Sequence, residues 1–180
     1  NTQLIGLIFP TVAIPFFGEL VERLESKLFE LGYRSILCDS ANNKEKERDY
    51  LKMLTANKVD GIIAGAHNLG IDEYENIKLP IISFDRFLAE GIPIVGSDNF
   101  QGGYLATENL YLRGARNIAI LTGTQSSNSP TNQRYHGYLA FLKEHNLEPK
   151  VFNIHSISRS TTLKNIDIRR ILENETLDGV

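Results

Sequence analysis

Leu4-Ile5-Gly6-Leu7-Ile8-Phe9 is an unbroken apolar run, and Pro15 opens a second pattern that lasts to Leu31. The first has the makings of a strand covered on both faces. In the second, Phe17, Leu20, Val21, Leu24, Leu28 and Leu31 recur at spacings of three and four. That is the apolar stripe of an amphipathic helix, with Glu22, Arg23, Glu25, Lys27 and Glu30 on the opposite face and Gly32 as its stop. A buried strand followed by a helix of this length is the unit from which parallel sheets are built.

The unit repeats along the chain. Ser35–Cys38, Gly61–Ala64, Pro80–Phe84 and the proline-weakened Ile92–Val95 read as strands. Helices are expected at Lys44–Ala56 and near Ile71–Asn76. After Asp98 the rhythm restarts with a helix at Gln101–Arg113, a strand at Asn117–Leu121, a helix at Gln133–His145, a strand at Lys150–Ile154 and a helix at Leu163–Asn174. Gly179-Val180 begins a further strand. The expected fold is α/β, with parallel sheets flanked by helices. The charged run Asn43–Asp49, with its mixed signs, reads as a solvated helix face.

Composition narrows the function. With 180 residues, 42% hydrophobic and 23% charged, the chain is of ordinary globular make-up, which excludes disordered and fibrous classes. A net charge of −3 provides no electrostatic footprint for nucleic acid or an anionic membrane within this stretch. Cys38 is the only cysteine, so neither an intrachain disulfide nor a zinc cluster can form, and His67, His136, His145 and His155 lack metal-ligand spacing. No G-x-S-x-G elbow, G-x-G-x-x-G turn or phosphate-binding G-x-x-x-x-G-K-[ST] loop is present. No catalytic residue, metal ligand or cofactor site is expected.

Ligands of open parallel sheets sit beyond the carboxyl ends of the strands. Three loops there are unusual. Pro15-Phe16-Phe17 places two aromatics side by side; Phe17 fits the helix stripe, which leaves Phe16 at the loop mouth. Its ring suits the apolar face of a sugar or base, or packs on a neighbouring loop. Asp85-Arg86 follows a buried strand and suits vicinal hydroxyls, or forms a local ion pair or turn cap. The polar stretch from Gly123 to Ser129, with Asn128 in it and Arg134 beyond, suits a polar or anionic ligand, or is a solvated loop.

Taken together, these segments resemble the effector-binding core of the LacI family of bacterial transcription regulators, a periplasmic-binding-protein-like fold. The matching pieces are Ile5-Gly6-Leu7-Ile8-Phe9-Pro10 running into Pro15–Leu20, Leu31-Gly32-Tyr33, Val59-Asp60-Gly61-Ile62-Ile63 and Asp85-Arg86. They continue with Ser97-Asp98-Asn99, Gly102-Gly103, Arg113–Ala119 and Arg134–Tyr138. Within the family, the chain looks most like the sucrose or fructoside operon repressors of Gram-positive bacteria.

The resemblance implies two lobes, residues 1–96 and 97–180, with the second incomplete and a DNA-binding head absent from this chain. It also implies a longer native protein, a likeness that the missing initiating Met reinforces. By the same resemblance the effector is a sugar or sugar phosphate held between lobes by Phe16, Phe17, Asp85, Arg86, Asn128 and Arg134. The protein would be a cytoplasmic homodimer that binds operator DNA and neither enters a membrane nor catalyses a reaction. A secreted sugar-binding protein of a transporter would use the same Phe16, Asp85 and Arg134, although the regular Gly114–Ala119 stretch favours the regulator. One departure stands out. Ala13-Ile14 occupies the place where the family commonly has Ser-Asn, and Ile offers no hydrogen bond to a hydroxyl.

Overall fold

The computed structural model describes residues 1–65, 68, 70–122, 130–154, 161–174 and 176–180. It divides into two compact units, Asn1–Gly96 and Ser97–Val180.

In unit 1, strands β1 (Leu4–Phe9), β2 (Arg34–Asp39), β3 (Gly61–Ala64), β4 (Ile81–Phe84) and β5 (Ile94–Val95) form one parallel sheet in the order β2-β1-β3-β4-β5. Helices α1 (Pro15–Glu30), α2 (Lys44–Ala56) and α3 (Glu73–Asn76) connect them. β1 is central, with Leu7 paired to Leu37 on one side and to Ile63 on the other, which is why its sequence has no polar face. The core gathers Ile8, Leu51, Leu54, Val59, Ile62 and Tyr74. β5 lies at the edge, where the lack of a Pro93 N–H costs nothing; its carbonyl still accepts from Ser83 N at 2.8 Å.

Two sequence readings need correction. The α1 stripe is apolar as expected, but none of its residues is fully buried; Phe29 and Leu31 are exposed, and the Arg34 guanidinium lies 4.3 Å above the Phe29 ring. Asn43–Asp49 is not uniformly a solvated face: Glu47 is wholly buried and accepts hydrogen bonds from the Tyr74 hydroxyl (2.8 Å) and Asn68 Nδ2 (2.6 Å). Mixed charge marks exposed positions, but it cannot show which one of a run points inward to meet donors supplied by distant segments.

Unit 2 holds α4 (Asn99–Leu112), β6 (Ala119–Thr122), a 3-10 turn (Pro130–Asn132), α5 (Gln133–Glu144), β7 (Lys150–Asn153) and α6 (Thr161–Asn174). α4 begins two residues before the expected Gln101, because Asp98 caps it by accepting from Gln101 N at 2.9 Å. β6 and β7 pair in parallel, and Ile118 bridges Gly179 on the other side of β6. α4 and α5 cross at unusually close range. A Cβ on Gly103 would fall 2.0 Å from the Arg134 carbonyl oxygen, and one on Gly137 would fall 2.0 Å from that of Phe100. Only glycine permits this approach.

The two units repeat one construction. In unit 1, the Asp60 carboxylate accepts from Thr2 N and Gln3 N, both at 2.9 Å, at the entrance to β1. In unit 2, Asp178 accepts from Arg116 N (2.9 Å) and Asn117 N (2.6 Å) at the entrance to β6. Each aspartate precedes a glycine, Gly61 or Gly179, that enters the ladder beside the strand so capped. The bonds to backbone N–H groups hold both carboxyls below their ordinary range.

Candidate functional site

In unit 1 the strand order reverses around β1, so the crevice beyond the carboxyl ends of β1 and β3 is where the fold admits a ligand. The aromatic pair stands there. Phe9, fully buried at the end of β1, carries the Phe17 ring at 5.9 Å, and Phe16 meets Phe17 edge-on at 5.4 Å. Phe16 itself is 59% exposed and also touches Phe84 at 6.0 Å. Three rings thus pass from core to surface, and the outermost presents a face to solvent from a braced position. Gly65 at the end of β3 makes room for this stack, since a Cβ there would meet Phe9 Cε1 at 2.7 Å.

Phe84 ends β4, and Asp85 follows it with φ +53°. That left-handed backbone is unfavourable for a residue with a Cβ, though Asp tolerates it better than most. It persists because Asp85 N donates to Val95 O at 2.9 Å while the Ser83 hydroxyl donates to the Arg86 carbonyl, closing a turn. The Asp85 carboxylate lies against Gly96, where a Cβ would fall 2.9 Å from Oδ1, and backbone strain of this kind clusters at binding sites. Arg86 lies beside it. Burial lowers the Arg86 pKa from its ordinary value, and the Asp85 charge opposes that shift. Phe16, Phe84 and Asp85 therefore lie side by side, although Phe16, in the first turn of α1, and Asp85, after β4, are far apart in the sequence.

In unit 2 the close crossing of α4 and α5 brings Arg134, in the first turn of α5, to the start of α4. There its Nε donates to Asn99 Oδ1 at 2.7 Å. Asn99 is buried, and its Nδ2 donates to the Ser97 carbonyl at 3.1 Å. The Arg134 side chain borders a cleft of about 630 Å³ whose other polar lining includes Thr122 and Thr131, and whose apolar lining includes Ala106, Leu110 and Ile118. Asn128 lies outside the described residues.

Unit 1 thus brings Phe16, Phe17, Asp85 and Arg86 to one end of its sheet, and Arg134 lines a separate cleft within unit 2. Asn99 carried no expected role. Its signal was present in the Ser97-Asp98-Asn99 motif, but without the helix crossing nothing connects position 99 to position 134. Ile14 is the N-cap residue of α1 and makes no side-chain cap. Among the described residues no three His, Cys, Asp or Glu converge as metal ligands would. No helix among them is long and apolar enough to cross a membrane.

The comparisons with known proteins agree with this architecture. Residues 2–174 match the family of periplasmic binding proteins and the sugar binding domain of the LacI family. A sucrose operon repressor of Pediococcus pentosaceus is 54% identical over 180 residues, all of this chain and 55% of that protein. The sucrose operon repressor of Streptococcus mutans serotype c is 48% identical over the same span and share. Among solved structures, a periplasmic binding protein/LacI transcriptional regulator from Alkaliphilus metalliredigens, complexed with D-xylulofuranose, matches with a TM-score of 0.76. It is 30% identical, and the match covers 97% of this chain and 61% of that one. The chain spans about half the length of the curated relatives it matches. With its parallel α/β units and a family match over nearly its whole length, this chain belongs to the family of periplasmic binding proteins and LacI-type sugar-binding domains.

Proposed function

We propose that the chain is the effector-sensing core of a LacI-type transcriptional repressor that binds a sugar or sugar phosphate and thereby changes its hold on operator DNA. The observation that carries this over a secreted transport protein is the 54% identity to a sucrose operon repressor along all 180 residues. Residues 1–96 are the N-terminal lobe, and residues 97–180 the first part of the C-terminal lobe. DNA contact belongs to a head outside these residues, in keeping with the net charge of −3 here. The working protein is a cytoplasmic homodimer, because two heads must reach half-sites about one helical turn apart or a multiple of it.

In this reading Phe16, braced by Phe17, stacks on the apolar face of the sugar ring. Asp85 accepts hydrogen bonds from its hydroxyls, with Arg86 beside it. Arg134 donates through its planar fork to a hydroxyl or phosphate oxygen, and Asn128 contributes a polar contact. The effector acts only through its unequal affinity for two arrangements of the protein. No step in this needs bond making or breaking.

The test is calorimetric titration of the full-length protein with sucrose, D-fructose, fructose 6-phosphate and sucrose 6-phosphate, followed by operator anisotropy with the sugar that binds. The expected result is saturable binding by one of them, weakened at least about tenfold by D85N and by R134A. A shift in operator affinity should appear only with that sugar. Binding unaffected by either substitution would remove these residues from the site. Operator affinity that no bound sugar shifts would remove the sensing role.

A further inference from the structure

The candidate ligand groups Asp85 and Arg134 are each held by a residue of one short segment, Gly96–Asn99, distant from both in sequence. The division between the units falls between Gly96 and Ser97. On the unit 1 side, the space at Gly96 is occupied by Asp85: a Cβ built on Gly96 would lie 2.9 Å from Asp85 Oδ1. Val95, one residue earlier, holds the Asp85 backbone in its left-handed conformation by accepting from Asp85 N at 2.9 Å. On the unit 2 side, Asn99 Oδ1 accepts from Arg134 Nε at 2.7 Å. Asn99 is only 5% exposed and is anchored to the same segment by its bond to the Ser97 carbonyl.

We propose that the junction segment Gly96–Asn99 is a positioning element of the effector site, in which Gly96 sets the Asp85 carboxylate and Asn99 sets the Arg134 guanidinium. This rests on the reading of Asp85 and Arg134 as effector ligands and extends it to residues that need not touch effector. The chemistry is specific at each end. At position 96 the lack of a side chain allows the carboxylate to lie against the backbone, and no other residue leaves that space open. At position 99 an amide oxygen fixes Nε, which leaves the two terminal guanidinium nitrogens as the fork for a ligand oxygen. Gly96 closes unit 1 and Asn99 stands near the start of unit 2, so each positioning contact is internal to its own unit. Ligand held by either group acts back on its own positioning residue through the same contact, since linkage is reciprocal.

Gly96 does not have a left-handed backbone, and the atom in its way is the end of a movable side chain, so G96A should fold while displacing the Asp85 carboxylate. The experiment uses the full-length protein, with sucrose, D-fructose, fructose 6-phosphate and sucrose 6-phosphate as probes. Affinity is read by calorimetry, or by ligand-observed NMR where binding is weak. We expect G96A and N99A each to weaken the best of these probes about tenfold, with melting temperatures within about 3 °C of wild type. We also expect no further loss when G96A is added to D85A, or N99A to R134A, because each acts through its partner. Losses that multiply in the double variants, or single variants that bind as wild type while D85A and R134A do not, would overturn the positioning role alone. Probes that bind undiminished to D85A and R134A would overturn both this proposal and the site reading beneath it, as would failure of all four to bind at about 10 mM.

Discussion

The Tyr74 hydroxyl donates to the Glu47 carboxylate at 2.8 Å, and the acid it reaches has no exposure to solvent, although it lies inside Lys44–Asp49, an unbroken run of six charged residues. Asn68 Nδ2 donates to the other carboxylate oxygen at 2.6 Å. Arg48, next in sequence, turns the other way to pair with Glu73 at 3.1 Å and to donate to the Gly70 carbonyl at 3.3 Å. The first turns of α2 thus grip both α3 and the segment leaving β3.

Removing the Glu47 side chain leaves the buried Tyr74 hydroxyl and the half-buried Asn68 amide without their acceptor. E47A should therefore cost about 2–4 kcal/mol, measured by urea denaturation, whereas E47Q, which keeps one acceptor oxygen, should cost about half as much. The Glu47 pKa is raised, chiefly by burial, with the bonds from Asn68 and Tyr74 opposing. A carboxyl that holds its proton more tightly when folded favours the folded state fully below its ordinary value. That contribution is lost as pH climbs from there through the raised value. Urea midpoints across that window should fall less with rising pH in E47Q than in wild type; parallel curves would contradict the assignment.

Two neighbouring glycines in α4 should respond with opposite sign. Gly103 faces the Arg134 carbonyl oxygen at a distance no Cβ tolerates, while a Cβ on Gly102 meets nothing within 4 Å. G103A must push α5 away and should cost about 3 kcal/mol, while G102A, in an exposed helical position, should gain up to about 1 kcal/mol. Thermal melts of the two variants decide this, and equal effects would mean that the crossing is looser than described.

The aspartates at the entrances of β1 and β6 should protect particular amides. D60A should speed hydrogen exchange at Thr2 and Gln3, and D178A at Arg116 and Asn117, with little change in the opposite unit. Both carboxyls are held below their ordinary range, so this protection is present above that range and lost as pH falls through the lowered values. Exchange rates near neutral pH that do not change on substitution would refute the capping role.

Cys38 is fully buried, and burial pushes its thiol up to about 11. Ellman's reagent should leave it unmodified in native protein at pH 8 and react with one thiol per chain once the protein is unfolded. Rapid native labelling would place the thiol at the surface.

Much of the architecture was legible in the chain because each element carries its own period. β1 announced itself through Leu4–Phe9, which can lie only between two strands, and α1 through a stripe bounded by Pro15 and Gly32, a glycine with φ +86° that ends the helix as its position suggested. Boundaries moved where a side chain far from the pattern intervened, as when Asp98 started α4 two residues early. The candidate site divided along the same line. Phe16 could be assigned to the loop mouth from helical periodicity, since two adjacent aromatics cannot share one face. The roles proposed for Asp85 and Arg134 rest on resemblance, because a lone charged residue after a strand or before a helix has many ordinary explanations.

By itself, then, the sequence determined the order of strands and helices, the parallel sheets and the chemical character of the loops beyond them. These follow from local periodicity and from which residues can be covered on two faces. Only the tertiary structure decided that Glu47 points inward, that Asp85 takes a left-handed backbone beneath Val95 and Gly96, and that Arg134 meets Asn99 across a glycine-lined helix crossing. Each joins residues separated along the chain through a hydrogen bond or a close approach. Such pairings depend on how whole elements pack, which no local pattern of residues contains.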